Sequence, residues 1–90
     1  MDLGLRGKKA FVTGASKGIG LRIARLLADE GADVGICARD PAAIAETVKE
    51  LRARGVKAFG ASADLRGDGA DLKAAIDGAA DAFGGLDILV

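Results

Sequence analysis

The stretch "FVTGASKGIG" (11–20) sets three glycines, Gly14, Gly18 and Gly20, within seven residues, between an apolar run and a helix-like segment. Ahead of it, "KAFVT" (9–13) has the length and character of a buried strand. Behind it, "GIGLRIARLLADEG" (18–31) carries Ile19, Ile23, Leu26 and Leu27 at three-four spacing, with Gly31 just past the end, and predicts an amphipathic helix. A strand-to-helix turn this free of side chains permits positive φ and close approach to the backbone. The helix start adds unpaired N–H groups and a partial positive charge, so the guest such a loop suits is an anion, phosphate above all. A P-loop is excluded, because it needs four residues between its glycine and a Gly-Lys-Ser/Thr. The order here is G-x-x-x-G-x-G, which also differs from the common dinucleotide pattern G-x-G-x-x-G. A tight turn with no ligand is the plainer alternative, and the strand–helix pattern on either side of the loop argues against it.

The pattern continues outward. "ADVGICA" (32–38) reads as a second strand. Asp40 then suits an N-cap, with Pro41 at the first helical position, where its missing N–H is harmless. The helix it opens carries Ile44, Val48 and Leu51 on one face, an i,i+4 pair of Glu50 and Arg54 on the other, and Gly55 at its end. "VKAFGAS" (56–62) is a third, weaker strand. After a loop around Asp64–Asp68, Leu72, Ile76, Ala79 and Phe83 mark a third helix. Gly78 weakens that helix by about 1 kcal/mol against alanine. "LDILV" (86–90) begins a fourth strand with no polar alternation, as a strand buried on both faces should. The order β-α-β-α-β-α-β predicts an α/β fold: a Rossmann-like, doubly wound parallel sheet with helices on both faces. Residues 1–90 read as one domain, incomplete at the C-terminus, since the apolar "ILV" would leave an open edge.

Composition narrows the chemistry. Thirteen basic residues balance thirteen acidic ones, which gives no reason to expect nucleic acid or an anionic membrane as partner. Cys37 is the only cysteine and histidine is absent, so an internal disulfide, a His/Cys metal site, and Ser-His-Asp or Cys-His catalysis are all excluded. "MDLGLRGKKAFV" has no apolar core of the signal-peptide kind. No segment approaches the ~18–20 consecutive apolar residues of a membrane span. A soluble, cytoplasmic protein is expected.

"TGASKGIG" (13–20) resembles the cofactor loop, TGxxxGxG, of the short-chain dehydrogenase/reductase family in its single-domain form. The likeness runs the whole length: "LRGKKAFVTG" resembles the family's first strand and lead-in, and "LADEGADVGICARD" the first helix end and second strand. "ASADL" (61–65) is similar to the segment after the third strand, and "FGGLDILV" (83–90) to the lead-in to the fourth. The resemblance implies that Gly14 makes the turn, that Gly18 and Gly20 allow close approach of a dinucleotide, and that the Ile19 N–H meets its pyrophosphate. It implies that Asp64 accepts from the adenine amino group with Leu65 beside the ring, and that Thr13 supports the loop.

Charge then speaks to the cofactor. NAD calls for a carboxylate on the ribose hydroxyls at the end of the second strand, whereas NADP carries a 2′-phosphate there. Ala38 stands at that position and Arg39 follows, a guanidinium suited to a phosphate. Lys17 could close on the same phosphate, with Ser16 as a neutral donor. NADP is favoured over NAD; Asp40 is the one acid that a register shift would bring to the ribose, and it reads better as the N-cap. Cys37 reads as a small buried hydrophobe.

The resemblance further implies hydride transfer between nicotinamide and a small carbonyl or alcohol substrate, and assembly of the complete protein as a homodimer or homotetramer. The family's Asn-Asn-Ala-Gly segment and its proton-handling serine, tyrosine and lysine fall beyond Val90, and the chain has no tyrosine. No catalytic residue is therefore assigned here, and these 90 residues alone are expected to be inactive. The alternative is a truncated, non-catalytic nucleotide-binding or interaction module.

Overall fold

The computed structural model describes residues 4–15, 17–64, 66 and 69–90. Strand β1 (Lys9–Thr13) leads through the glycine loop into helix α1 (Gly18–Asp29), followed by β2 (Asp33–Ala38) and α2 (Pro41–Arg52). Next come β3 (Ala58–Ser62), α3 (Ala70–Phe83) and β4 (Ile88–Leu89). The four strands form one parallel sheet in the order β3-β2-β1-β4. The chain moves outward from β1 to β3 and then crosses back to β4 on the other side. The loop after β1 therefore lies where strand order reverses, at the carboxyl edge of the sheet. This is a Rossmann-like α/β fold.

Period-two alternation sorts the core into two layers. Ala10 and Val12 of β1, Val34 and Ile36 of β2 and Ala58 of β3 face α1 and α2, packing with Ala24, Leu27, Ala28, Ile44 and Leu51. Phe11 and Cys37 face the other way, onto Ala75, Ala79 and Phe83 of α3, with Phe59, Ala61, Leu72 and Ile76 partly buried against them. Helices thus cover both faces of the sheet. β4 is shorter than the five residues expected, but its pairing runs on through hydrogen bonds from Val90 N to Phe11 O (2.9 Å) and from Asp87 N to Lys9 O (2.7 Å).

Two expectations about helix faces need correction. Ile19 and Leu26 do not belong to the buried stripe of α1: they are 77% and 54% exposed. The helix instead lies on the sheet through Ala24, Leu27 and Ala28, with Ile23 at the margin. Small side chains let the helix come close, and at about 100° per residue Ile19 and Leu26 fall well round from that line. The Glu50–Arg54 side-chain pair does not form either. Glu50 accepts with both its oxygens from Arg25 Nε (3.1 and 3.0 Å), which ties α1 to α2, and Arg54 Nε reaches Asp29 (2.7 Å), which ties the turn after α2 to α1. The hydrogen bond from Arg25 is the main cause of a Glu50 pKa below the ordinary carboxylate value.

Glycines in β3 and α3 mark close contacts. A methyl on Gly78 would stand 2.7 Å from Phe59 Cζ, so the residue that weakens α3 locally is where the Phe59 ring passes. On the opposite face of β3, a methyl on Gly60 would stand 2.5 Å from Ile44 Cγ2 and 2.7 Å from Val48 Cγ2. Gly60→Ala is expected to destabilise the fold by about 1–3 kcal/mol, the range of overpacking. The thermal midpoint should fall by roughly 4–8 °C for each kcal/mol. An unchanged midpoint would mean that α2 does not rest on β3 in this way.

Candidate functional site

The start of the glycine loop is fastened to the strands on either side of β1. Thr13 gives both its amide (3.1 Å) and its hydroxyl (3.2 Å) to Val90 O, which ties its side chain to the neighbouring strand. The amides of Gly14 and Ala15 both turn onto Cys37 O, at 2.9 and 3.4 Å. Gly14 and Gly18 each have φ of +64°, a conformation that costs other residues about 1–2 kcal/mol. A Cβ at either position would meet nothing within 4 Å, so both glycines border open space. Gly20 differs: its Cβ would collide with the carbonyl of Gly14. Two glycines shape the loop and leave it open, and the third lets the first turn of α1 dock against it. Lys17, in extended conformation, is the N-cap of α1 but makes no side-chain cap bond, and the first turn holds no acid. The amides there keep their attraction for an anion.

The ends of β2 and β3 complete the site. Ala38 is buried and carries no charge, and Arg39 beyond it is exposed. Ser62 Oγ donates to Arg39 O (3.2 Å), and Ala63 N to Ala38 O (2.8 Å), holding the two strand ends together. Asp40 Oδ1 accepts from Ala42 N (3.0 Å), so this acid is engaged as the N-cap of α2. Cys37 is fully buried, and burial pushes its thiol pKa up, which suits a packing role. The Asp64 amide donates to Asp71 Oδ2 in the first turn of α3 (3.1 Å). The Asp64 carboxylate faces Arg66: Oδ1 accepts from its Nε (3.2 Å) and its backbone amide (3.0 Å), and Oδ2 from its Nη2 (3.4 Å). The side-chain bond from Arg66, then the amide, holds the Asp64 carboxyl below the usual range, so it is ionised at neutral pH.

These elements enclose a cleft of ≈ 550 Å³ lined by Gly14, Lys17, Ala38, Arg39, Asp40, Ala63 and Arg66. Of the residues that the sequence singles out, Gly14, Lys17 and Arg39 line this cleft, while Gly18, Ile19 and Gly20 form the adjoining first turn of α1. Asp64 does not line the cleft itself; its partner Arg66 does. Ser16 and Leu65 lie outside the described residues. Among the described residues, the side chains of Lys17 and Arg39 hold no hydrogen-bond or ion-pair partner. Arg66 is the lining residue that sequence reasoning does not single out; its one local signal is that of a cation two places after Asp64.

Two other hollows have similar size. One lies between α1 and α2 (≈ 500 Å³) and is crossed by the Arg25–Glu50 ion pair. The other lies between α2 and β3 (≈ 560 Å³), walled by Ile44, Val48 and Phe59. Neither contains the glycine loop. Among the described residues there is no group of acids, histidines or cysteines fit to hold a metal ion, and no helix long and apolar enough to cross a membrane.

Comparison with known proteins yields a consistent set of relatives. The family model for short chain dehydrogenases matches residues 8–90. The L-sorbose reductase of Gluconobacter frateurii, solved with NADPH and L-sorbose, matches with a TM-score of 0.90 and 37% identity, over 99% of this chain and 34% of its own. A short chain dehydrogenase of Burkholderia cenocepacia, solved with NADP, matches with a TM-score of 0.89 and 44% identity, over 94% of this chain and 35% of its own. By sequence, the 3-oxoacyl-acyl-carrier-protein reductase of Staphylococcus aureus is 43% identical over 84 residues, 92% of this chain and 34% of that protein. The chain spans between 22% and 34% of the length of the curated relatives it matches.

Proposed function

The chain belongs to the short-chain dehydrogenase family, and from that premise we propose that it forms the adenine- and pyrophosphate-binding part of an NADP-dependent oxidoreductase. The observation that carries the choice of cofactor is the pair of cations, Lys17 and Arg39, lining one cleft beside an uncharged Ala38. A ribose phosphate meets two positive partners there, and Asp40, which lines the same cleft, is engaged by the Ala42 amide. The solved relatives that hold NADP or NADPH support the same choice.

The residues present fit the group. The open faces of Gly14 and Gly18 leave room for a pyrophosphate against the backbone, and the amides at the start of α1, that of Ile19 among them, would donate to it. Gly20 keeps that helix start in contact with the loop. Arg39 and Lys17 would take the 2′-phosphate, and the ionised carboxylate of Asp64 would accept from the adenine amino group. When bound, NADP supplies hydride exchange between its nicotinamide and a carbonyl or alcohol carbon. The proton that accompanies such a transfer has no assigned donor among these 90 residues, which lack both tyrosine and histidine. The proton-handling groups are assigned to the remainder of a longer polypeptide, of which the small carbonyl or alcohol substrate, the cytoplasmic setting and a dimeric or tetrameric assembly are further parts of this reading.

Calorimetric titration of the chain with NADPH and NADH tests it. One charge-assisted phosphate contact is worth about 1.5–3 kcal/mol, so NADPH should bind at least about tenfold more tightly. Equal affinities, or tighter NADH, would overturn the cofactor assignment, and absence of binding by both would overturn the dinucleotide reading.

A further inference from the structure

We infer that Arg66 is a third cation for the ribose phosphate, surrendered by Asp64 when an adenine ring arrives, and hence a specificity-determining residue. The inference rests on the NADP reading of the cleft and goes beyond it in naming a residue outside the glycine loop and the end of β2. Arg66 lines the same cleft wall as Lys17 and Arg39. Among the described residues, its guanidinium is held by the Asp64 carboxylate, through bonds of 3.2 and 3.4 Å. Both side chains are open to water, 70% and 49% exposed, and an ion pair in that setting is weak.

The pair occupies the carboxylate that the adenine amino group needs. Asp64 Oδ1 already accepts the Arg66 backbone amide at 3.0 Å, which fixes the carboxylate whatever the guanidinium does. The Asp64 amide is fixed in turn by Asp71. An incoming amino group can therefore replace the guanidinium without moving the acid. The acid that lines the cleft, Asp40, has one oxygen committed to the Ala42 amide and a single charge to offer the displaced guanidinium. A phosphate dianion in the cleft is the better partner, since it accepts from a guanidinium in bidentate fashion with both groups charged. In the ligand-free state the same pair keeps a third unpaired cation out of the cleft.

Two nucleotides that differ only in the 2′-phosphate separate this proposal from the reading beneath it: adenosine 2′,5′-bisphosphate and adenosine 5′-monophosphate. Binding of each is measured by calorimetry on the unaltered chain and on R66Q and R66K. R66Q should lose about tenfold in affinity for the bisphosphate, the worth of one charge-assisted contact, while its affinity for the monophosphate stays within about twofold. R66K, which keeps the charge but not the bidentate fork, should recover part of the loss. Equal losses on both nucleotides, or none on the bisphosphate, would overturn the role of Arg66 while leaving the NADP reading intact. An unaltered chain with no preference for the bisphosphate would overturn that reading and this inference together.

Discussion

Gly20→Ala is expected to cost more stability than any other single methyl added to the loop. The new Cβ would meet the Gly14 carbonyl oxygen, which is backbone and cannot rotate aside. Either the first turn of α1 lifts from the loop or the loop leaves its fastening on Cys37. Overpacking of this kind costs about 1–3 kcal/mol, a large part of the roughly 5–15 kcal/mol that holds a domain together. Thermal unfolding followed by circular dichroism should show a midpoint lower by roughly 4–8 °C per kcal/mol. Gly18→Ala makes a sharp comparison: it is strained by φ of +64° but meets no atom within 4 Å, so its methyl points into open space beside the cleft and its larger effect should be on ligand binding. If Gly20→Ala melted with the parent, the docking of α1 on the loop would be wrong.

Arg39→Ala is expected to weaken NADPH binding by about 10- to 100-fold, the worth of a charge-assisted phosphate contact, and to leave NADH within about twofold. Because the Arg39 side chain makes no hydrogen bond or ion pair among the described residues, and acts on Asp64 only through its field, its removal should move the melting midpoint little. Any loss is then a loss of binding. A variant that lost both dinucleotides equally would show that Arg39 acts on the shared part of the ligand, and the charge argument for NADP would fall.

Much of the architecture is legible in local signals. The bounds of β1 follow from the apolar run and the glycine after it, and Asp40-Pro41 announces the start of α2 with a cap that forms as expected. The glycine loop and the two cations beside it are legible for the same reason: spacing and charge are local properties of the chain. What sequence reasoning missed depends on contacts between distant segments. Counting large apolar residues placed Ile19 and Leu26 inside, whereas Ala24 and Ala28 set the approach of α1 to the sheet. Glu50 and Arg54 have the spacing of a helical pair, yet each finds a stronger partner on α1, 25 residues away in sequence. Gly78 looks like a flaw in α3 until Phe59 is seen against it. Arg66 has no motif of its own, and only the fold brings it to the wall that Lys17 and Arg39 share.

The central claim, that this cleft holds NADP, is tested most directly by mapping backbone amide shifts of the isotope-labelled chain as NADP is added. The account predicts saturable shifts at Gly14, Lys17, Gly18, Ile19 and Gly20, at Arg39, and at Asp64 and Arg66, with the groove between α1 and α2 unmoved. Shifts centred instead on Leu21, Thr47 and Ala53 in that groove, or no shift at the glycine loop, would contradict it.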